Sequence, residues 1–410
     1  MTTATTTRPT RPARPARPNQ PTGLDPRRRA PRGLFGHSPA LDGLRGFALV
    51  AIVVYHFTRG DSRTLPGGSA AVDVFFALSG FLITALLLDE LRVHGRLQLG
   101  RFWARRSLRL LPALFVMLGV WTLMLLAFHD TTWFAASPEG DDVGSPVDVS
   151  GALRDVGLAL AYVLNWQHAL GEGAAPIPHL WSLGVEEQFY LLWPLAVLLL
   201  VRLPAARRHW PLVALGAVCA VLPFLYFDPS AGDMDRIYFG TDVRAVALLG
   251  GATAAVVWHR RAGLGLGLRR WQPALAWVGF AVMVWWWVFM TWFEVRAKVG
   301  TLVLALAVSA LVPVLVQRPR AAVSRFLSLR VLTWLGKRSY GIYLWHYLWA
   351  TWTHPLPVWV GVPLGVGGSL LCAVVSWRLV EAPALRRATR FRPVPTAATE
   401  RVAHSLPAAA

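Results

Sequence analysis

Cysteine is nearly absent from this 410-residue chain: only Cys219 and Cys372 occur, each inside an apolar run. That excludes a disulfide framework and a cysteine-based metal site, and both read as small core residues. Charge is scarce as well, at 15% of residues against 55% hydrophobic residues and 20 tryptophans. A water-soluble domain does not carry that balance. Acidic residues are the scarcer sign, 22 against 41 Lys and Arg, a formal charge of +19. In a soluble protein such an excess would suggest nucleic acid. Here the aromatic residues lie within apolar runs and do not interleave with the basic ones, so nucleic acid is set aside as a partner. No small-residue cleavage pattern follows the first apolar run, so residues 1–37 are not expected to be a signal peptide.

What is present is a succession of apolar runs between residues 41 and 380, each near the roughly 20 residues that cross a bilayer as a helix. Backbone groups in lipid must be satisfied within the segment. The fold class is therefore an all-α polytopic membrane protein with about ten transmembrane helices, near 40–58, 72–91, 108–128, 180–201, 211–227, 241–259, 272–292, 298–317, 333–353 and 359–380. Loops at 92–109, 202–209, 260–270 and 318–330 are rich in arginine, whereas 129–151 and 228–235 carry acids and no Lys or Arg. Basic segments mark the cytoplasmic side, so both termini are expected there. Residues 152–169 would break this alternation if they crossed, and are read as a re-entrant or surface helix, with an eleven-span arrangement as the alternative. Residues 1–37 hold seven prolines and eight arginines with one acid and are expected to be a disordered cytoplasmic tail. Residues 38–385 form the membrane domain and 386–410 a second basic, disordered tail.

Polar residues within apolar helices are costly and concentrate at pathways and sites. On the first helix, Asp42 precedes Arg45 by three residues and His56 follows Arg45 by eleven, so at 100° per residue all three fall along one stripe. An ion pair at a helix start would also explain Asp42 and Arg45, and a hydrogen-bonded core histidine would explain His56. Asp73 opens the second span, and Ser79-Gly80 interrupt it in a way that close helix packing also accounts for. RFWARRSLRLLP sets Arg105, Arg106 and Arg109 at the head of the third span. Positive-inside anchoring explains part of that cluster; guanidinium forks that match phosphate geometry explain the rest. HLWSLGVEEQFYLLWP places Glu186 and Glu187 a short way inside a span, with Trp181, Tyr190 and Trp193 as interfacial aromatics. TDVRA places Asp242 and Arg244 at another span start, and Ser339, Tyr343 and His346 occupy one helical face of SYGIYLWH.

These motifs in this order (LDGLRG with His56 beyond it, VDVFFALSGFLIT, RFWARRSLRLLP, HLWSLGVEEQFYLLWP, TDVRA, SYGIYLWH and the closing VEAP) resemble the integral-membrane acyltransferase 3 family over residues 38–385. Members of that family O-acylate surface sugars and antibiotics. The resemblance implies a core of about ten spans and a catalytic His56. It implies essential roles for Arg45, Arg106 and Arg109 toward the acyl donor, with Arg105 beside them, and it makes Glu186 the motif acid. Ser339, Tyr343 and His346 fill the late motif. Ala71 and Ala77 stand where the family often has glycine and valine. Many relatives append a hydrolase-like outer domain, whereas this chain ends in a basic tail, so a stand-alone acyltransferase is expected.

The expected chemistry is transfer of an acyl group, most simply acetyl, from acetyl-CoA or another acyl-CoA, a donor substrate and no resident cofactor. The expected acceptor is a hydroxyl of a glycan, glycolipid or hydroxylated metabolite. His56, with Asp42 and Glu186 as supporting acids, acts as base or as a transient acyl carrier. The lipid bilayer is the other partner, no metal is expected, and oligomeric state leaves no mark. A multi-span transporter of a lipid-linked sugar or small metabolite is the alternative; no inverted repeat supports it. A membrane scaffold would need neither His56 nor Glu186.

Overall fold

The computed structural model describes residues 34, 36–58, 64–129, 148–171, 177–227 and 234–391. The tail expected at 1–37 lies outside these residues save Leu34, Gly36 and His37, as does the second tail beyond Phe391. The helices are α1 Pro39–Phe57, α2 Val72–His94, α3 Leu99–Phe128, α4 Val149–Leu160, α5 Leu164–Ala169, α6 Trp181–Leu200, α7 His209–Tyr226 and α8 Asp235–Phe239. They continue with α9 Thr241–Gly263, α10 Gln272–Phe289, α11 Phe293–Gln317, α12 Ala322–Leu327, α13 Arg330–Lys337, α14 Ser339–Thr353, α15 Val358–Ser376 and α16 Ala382–Ala388. Among the described residues no strand is present and nine helices are long and apolar enough to cross a membrane: α1, α2, α3, α6, α7, α9, α10, α11 and α15. The protein is an all-α polytopic membrane protein.

The run read as a span at 333–353 is two helices. α13 ends at Lys337 and α14 begins at Ser339, with Arg338 between them at φ −109° and ψ 7°. Gly336 is pressed so closely against the Asp42 carbonyl of α1 that no Cβ would fit there. The Arg338 guanidinium lies over the Trp334 and Trp377 rings. The chain therefore restarts a helix at Ser339, inside the bundle.

Residues 152–169 also divide. α4 has 12 residues and α5 has six, neither long enough to cross, and Tyr162 between them adopts φ 57°. Asp148 caps α4, accepting from the Ser150 and Gly151 amides at 3.0 Å each. The Ser150 hydroxyl, donating to the same carboxylate, holds its pKa below the usual range. The bend is fastened to α6, where Gln188 Nε2 donates to the Tyr162 carbonyl (2.8 Å) and to Asn165 Oδ1 (3.0 Å).

Close backbone approach sets the core. In lipid, packing rather than water exclusion holds helices together, and small residues allow it. Gly80 of α2 meets the Leu248 carbonyl of α9, and Gly251 of α9 meets the Ala77 carbonyl of α2, with no room for a Cβ at either. That crossing is the most intimate in the bundle and accounts for the interruption at Ser79-Gly80. α11 packs against both partners and α10 packs on α11. α1 lies against α13 through Gly46 and Gly336, and against the Leu327 carbonyl of α12 through Gly43. The boundary set at 385 falls within α16, which packs on α3.

Candidate active site

Two cavities follow one another along α1. The first, about 60 Å³, is lined by Arg45, Arg106, Arg109, Ser182, Glu186, Tyr190, Ser339, Tyr340 and Tyr343. The second, about 40 Å³, is lined by His56, Ser69, His179, Trp181, Tyr238, Phe239, Tyr343 and Tyr347. Val72 and Tyr343 belong to both walls. Arg45 and His56, eleven residues apart, come within 20° of one another around the helix and about 17 Å along it, so α1 serves both cavities with one face.

In the basic cavity three guanidinium groups converge from α1 and α3, and none forms an ion pair with a described carboxylate. Arg106 lies over the Tyr190 ring, 4.1 Å from its centre. Arg109 lines the same cavity and is among the exposed residues of α3. Glu186 is held by Ser79, whose hydroxyl donates at 2.8 Å, and by the Tyr190 hydroxyl at 3.1 Å. Three guanidinium groups against a single carboxylate, itself held by two hydroxyl donors, leave a cavity suited to an anion.

In the histidine cavity the backbone assigns the tautomers. His346 Nδ1 lies 2.7 Å from the Tyr343 carbonyl. A carbonyl only accepts, so Nδ1 carries the proton and Nε2 presents a lone pair. That lone pair faces His56 Nδ1 at 3.2 Å, and His56 Nδ1 is also 3.0 Å from the Ile52 carbonyl. Both neighbours accept, so His56 is protonated at Nδ1 and carries its lone pair on Nε2. A second histidine directed by a carbonyl thus orients the first, as an acid does in a hydrolytic triad. Tyr343 joins the two cavities: its hydroxyl donates to the His179 carbonyl at 2.5 Å and lies 2.8 Å from Ser182 Oγ. Among the described residues no group of His, Cys, Asp and Glu is arranged to hold a metal.

Several candidates lie elsewhere. Asp42 turns aside to His37 at 3.0 Å and lines neither cavity; its 60° offset from Arg45 suffices to carry it to the flank. Arg105 reaches Glu90 (3.4 Å) and the Phe391 carbonyl (2.6 Å), fastening the C-terminal segment to α2 and α3. Asp73, fully buried, pairs with Arg244 at 3.0 Å, and both bond Thr301 of α11. Arg244 also stacks between Trp181 and Tyr238, two walls of the histidine cavity, so it braces the site without entering it. Asp242 pairs with Arg236 and accepts from Tyr226, away from both cavities. Another cavity, of about 650 Å³ between α7, α9, α10 and α11, is almost wholly apolar and is lined by none of these residues.

Sequence reasoning missed His179, Ser182 and Tyr347, and read Tyr190 as an interfacial aromatic although it is buried and hydrogen-bonded. A signal existed: 179, 182, 186 and 190 are spaced by three, four and four, one helical stripe. His179 is 3% exposed, stacks on Tyr347 with ring centres 4.8 Å apart, and has Nε2 3.3 Å from the Leu344 carbonyl. Its Nδ1 is buried with no partner among the described residues, which ordinarily costs about 1–3 kcal/mol.

The family description of an acyltransferase domain matches residues 38–378. A peptidoglycan O-acetyltransferase, OatA, of Listeria monocytogenes is 32% identical over 372 residues, covering 84% of this chain and 55% of the relative. The putative peptidoglycan O-acetyltransferase YrhL of Bacillus subtilis is 32% identical over 364 residues, 84% of this chain and 54% of its own. The O-acetyltransferase OatA of Staphylococcus aureus is 30% identical over 370 residues, 84% and 57%. The chain spans about half the length of the curated relatives it matches. No solved structure matches it. Since the match runs through both cavities and the helices that build them, the chain belongs to the acyltransferase domain family, the integral-membrane family that its motifs resemble.

Proposed function

We propose that this chain is a membrane O-acyltransferase that moves an acyl group, acetyl in the simplest case, from acyl-CoA to a hydroxyl of a cell-envelope glycan, with peptidoglycan the first acceptor class to test. The observation that carries this reading is the single axis on which three unpaired arginines, a shared tyrosine and an oriented histidine pair follow one another. The arginines hold the phosphates of the donor. The pantetheine arm runs along α1 toward His56. Each cavity has room for only a few waters, so passage of the arm requires the Tyr343 side chain to swing out of the common wall.

His56 Nε2 then takes the proton of the acceptor hydroxyl. The alkoxide oxygen attacks the thioester carbonyl, the C–S bond breaks, and the proton on His56 passes to the departing thiolate, giving ester and free CoA. His346 keeps the Nδ1 proton of His56 in place, so that the basic lone pair stays on Nε2. The positive-inside tendency of basic segments supports a cytoplasmic side for both termini and the arginine cavity, where acyl-CoA is found.

The test is purified protein in lipid nanodiscs given acetyl-CoA and a peptidoglycan oligosaccharide. Free CoA and an acyl increment on the sugar are expected together, both lost in His56→Ala. Transfer at the wild-type rate in correctly folded His56→Ala refutes the base assignment. An acyl adduct on the protein after rapid quenching assigns His56 as a carrier instead. Sugar movement across the bilayer without CoA release points to the transporter.

A further inference from the structure

His179 is used by nothing in the mechanism above, yet it forms a wall of the cavity that contains His56. Its Nε2 lies 3.3 Å from the Leu344 carbonyl, so Nε2 carries the proton and the lone pair lies on Nδ1. That atom is buried, has no partner among the described residues, and belongs to a ring held in place by stacking on Tyr347, at 12° between planes. The Tyr343 hydroxyl and Ser182 fix the backbone from which it projects. A rigid, buried, unpartnered acceptor beside a catalytic cavity needs a donor that arrives with a ligand or with water.

The wall of that cavity therefore includes a second imidazole, His179, besides His56. Only one is needed to deprotonate a hydroxyl. We propose that His179 is the acceptor-binding residue, its Nδ1 taking a hydrogen bond from an O–H or N–H adjacent to the hydroxyl that His56 deprotonates. This deepens the acyltransferase reading and rests on it. The substrate class that follows is a vicinal diol or an amido alcohol, such as a sugar ring provides, and not a lone alcohol. A site with a buried group built to meet a donor rejects analogues lacking it far more strongly than an apolar pocket rejects a missing methylene.

The side chain can be dissected. His179→Gln keeps an N–H where Nε2 meets Leu344 and removes the lone pair at Nδ1. His179→Asn puts an amide oxygen near Nδ1 and gives up the Leu344 bond. The full chain in nanodiscs is given acetyl-CoA with chitotetraose as the acceptor probe. The acceptor concentration for half-maximal transfer is expected to rise at least tenfold in His179→Gln, with CoA affinity by calorimetry within twofold of wild type. His179→Asn is expected to recover to within about threefold of wild type. Unchanged acceptor dependence in His179→Gln overturns the assignment. So does parallel loss of CoA affinity and thermal midpoint in both variants, which makes His179 a structural residue. A wild-type protein that releases no CoA refutes the underlying acyltransferase reading instead, a result distinct from either.

Discussion

Arg105, Arg106 and Arg109 lie within two turns of one helix, yet only the latter two line the basic cavity. Sequence spacing predicts a shared face for Arg106 and Arg109, whereas the fate of Arg105 depends on Glu90 arriving from α2. Replacing Arg45 or Arg109 by alanine removes a charge-assisted contact to the donor phosphates. Each is worth about 1.5–3 kcal/mol, so the donor KM is expected to rise about ten- to hundredfold in steady-state assays. Arg105→Ala is expected to leave donor KM within a factor of two and to lower the thermal midpoint, through its lost bonds to Glu90 and Phe391. His346→Ala frees the His56 ring to rotate and to exchange tautomers. A fall in kcat of about a hundredfold with little change in donor KM is expected; equal loss in KM would place His346 in donor binding instead.

At the scale of the helix, the α2–α9 crossing depends on Gly80 and Gly251, each against a carbonyl of the opposite helix. A leucine at Gly80 cannot be absorbed by a rotamer change, because the obstacle is backbone. The loss of stability is expected to exceed the roughly 1–3 kcal/mol of ordinary overpacking, read as a lower midpoint in fluorescence-detected size exclusion. The same two helices are joined by the buried Asp73–Arg244 pair. Asp73→Asn leaves Arg244 buried and uncompensated and is expected to cost about 3–5 kcal/mol. The exposed ion pair Lys298–Glu294, with Glu294 62% open to solvent, should be nearly silent when removed. Hydropathy located the long helices but not the break at Arg338 or the bend at Tyr162. Both occur where tertiary neighbours, Asp42 against Gly336 and Gln188 against Tyr162, take over backbone positions that an uninterrupted apolar run would leave helical.

At the scale of the molecule, the segments that carry the arginines meet at one end of the bundle. Leu34 N donates to Asp89 at 3.0 Å, His259 lies 3.1 Å from the same carboxylate, and Ser38 donates to the Leu315 carbonyl. These contacts gather the chain entry, the end of α2, the end of α9 and the end of α11. If the basic end faces the cytoplasm, as the proposed function requires, a cysteine placed at Arg96 in a chain lacking Cys219 and Cys372 should react with an impermeant maleimide only in inverted vesicles. One placed at Ser150, in α4, should react only in right-side-out cells. The reverse pattern would put the arginine cavity on the side without acyl-CoA.

The sequence alone determined the fold class, nine of the membrane-length helices and the pairing of Arg45 with His56 along one stripe, because apolar length and a 100° period are properties of a single segment. It also carried the motifs by which the family is identified. Only the tertiary structure decided that Asp42 and Arg105 face away, that Asp73 and Arg244 brace the walls, and that His346 and His179 join His56. Those outcomes depend on which carbonyls and carboxylates other helices bring within about 3 Å, and no periodicity within one helix contains that information.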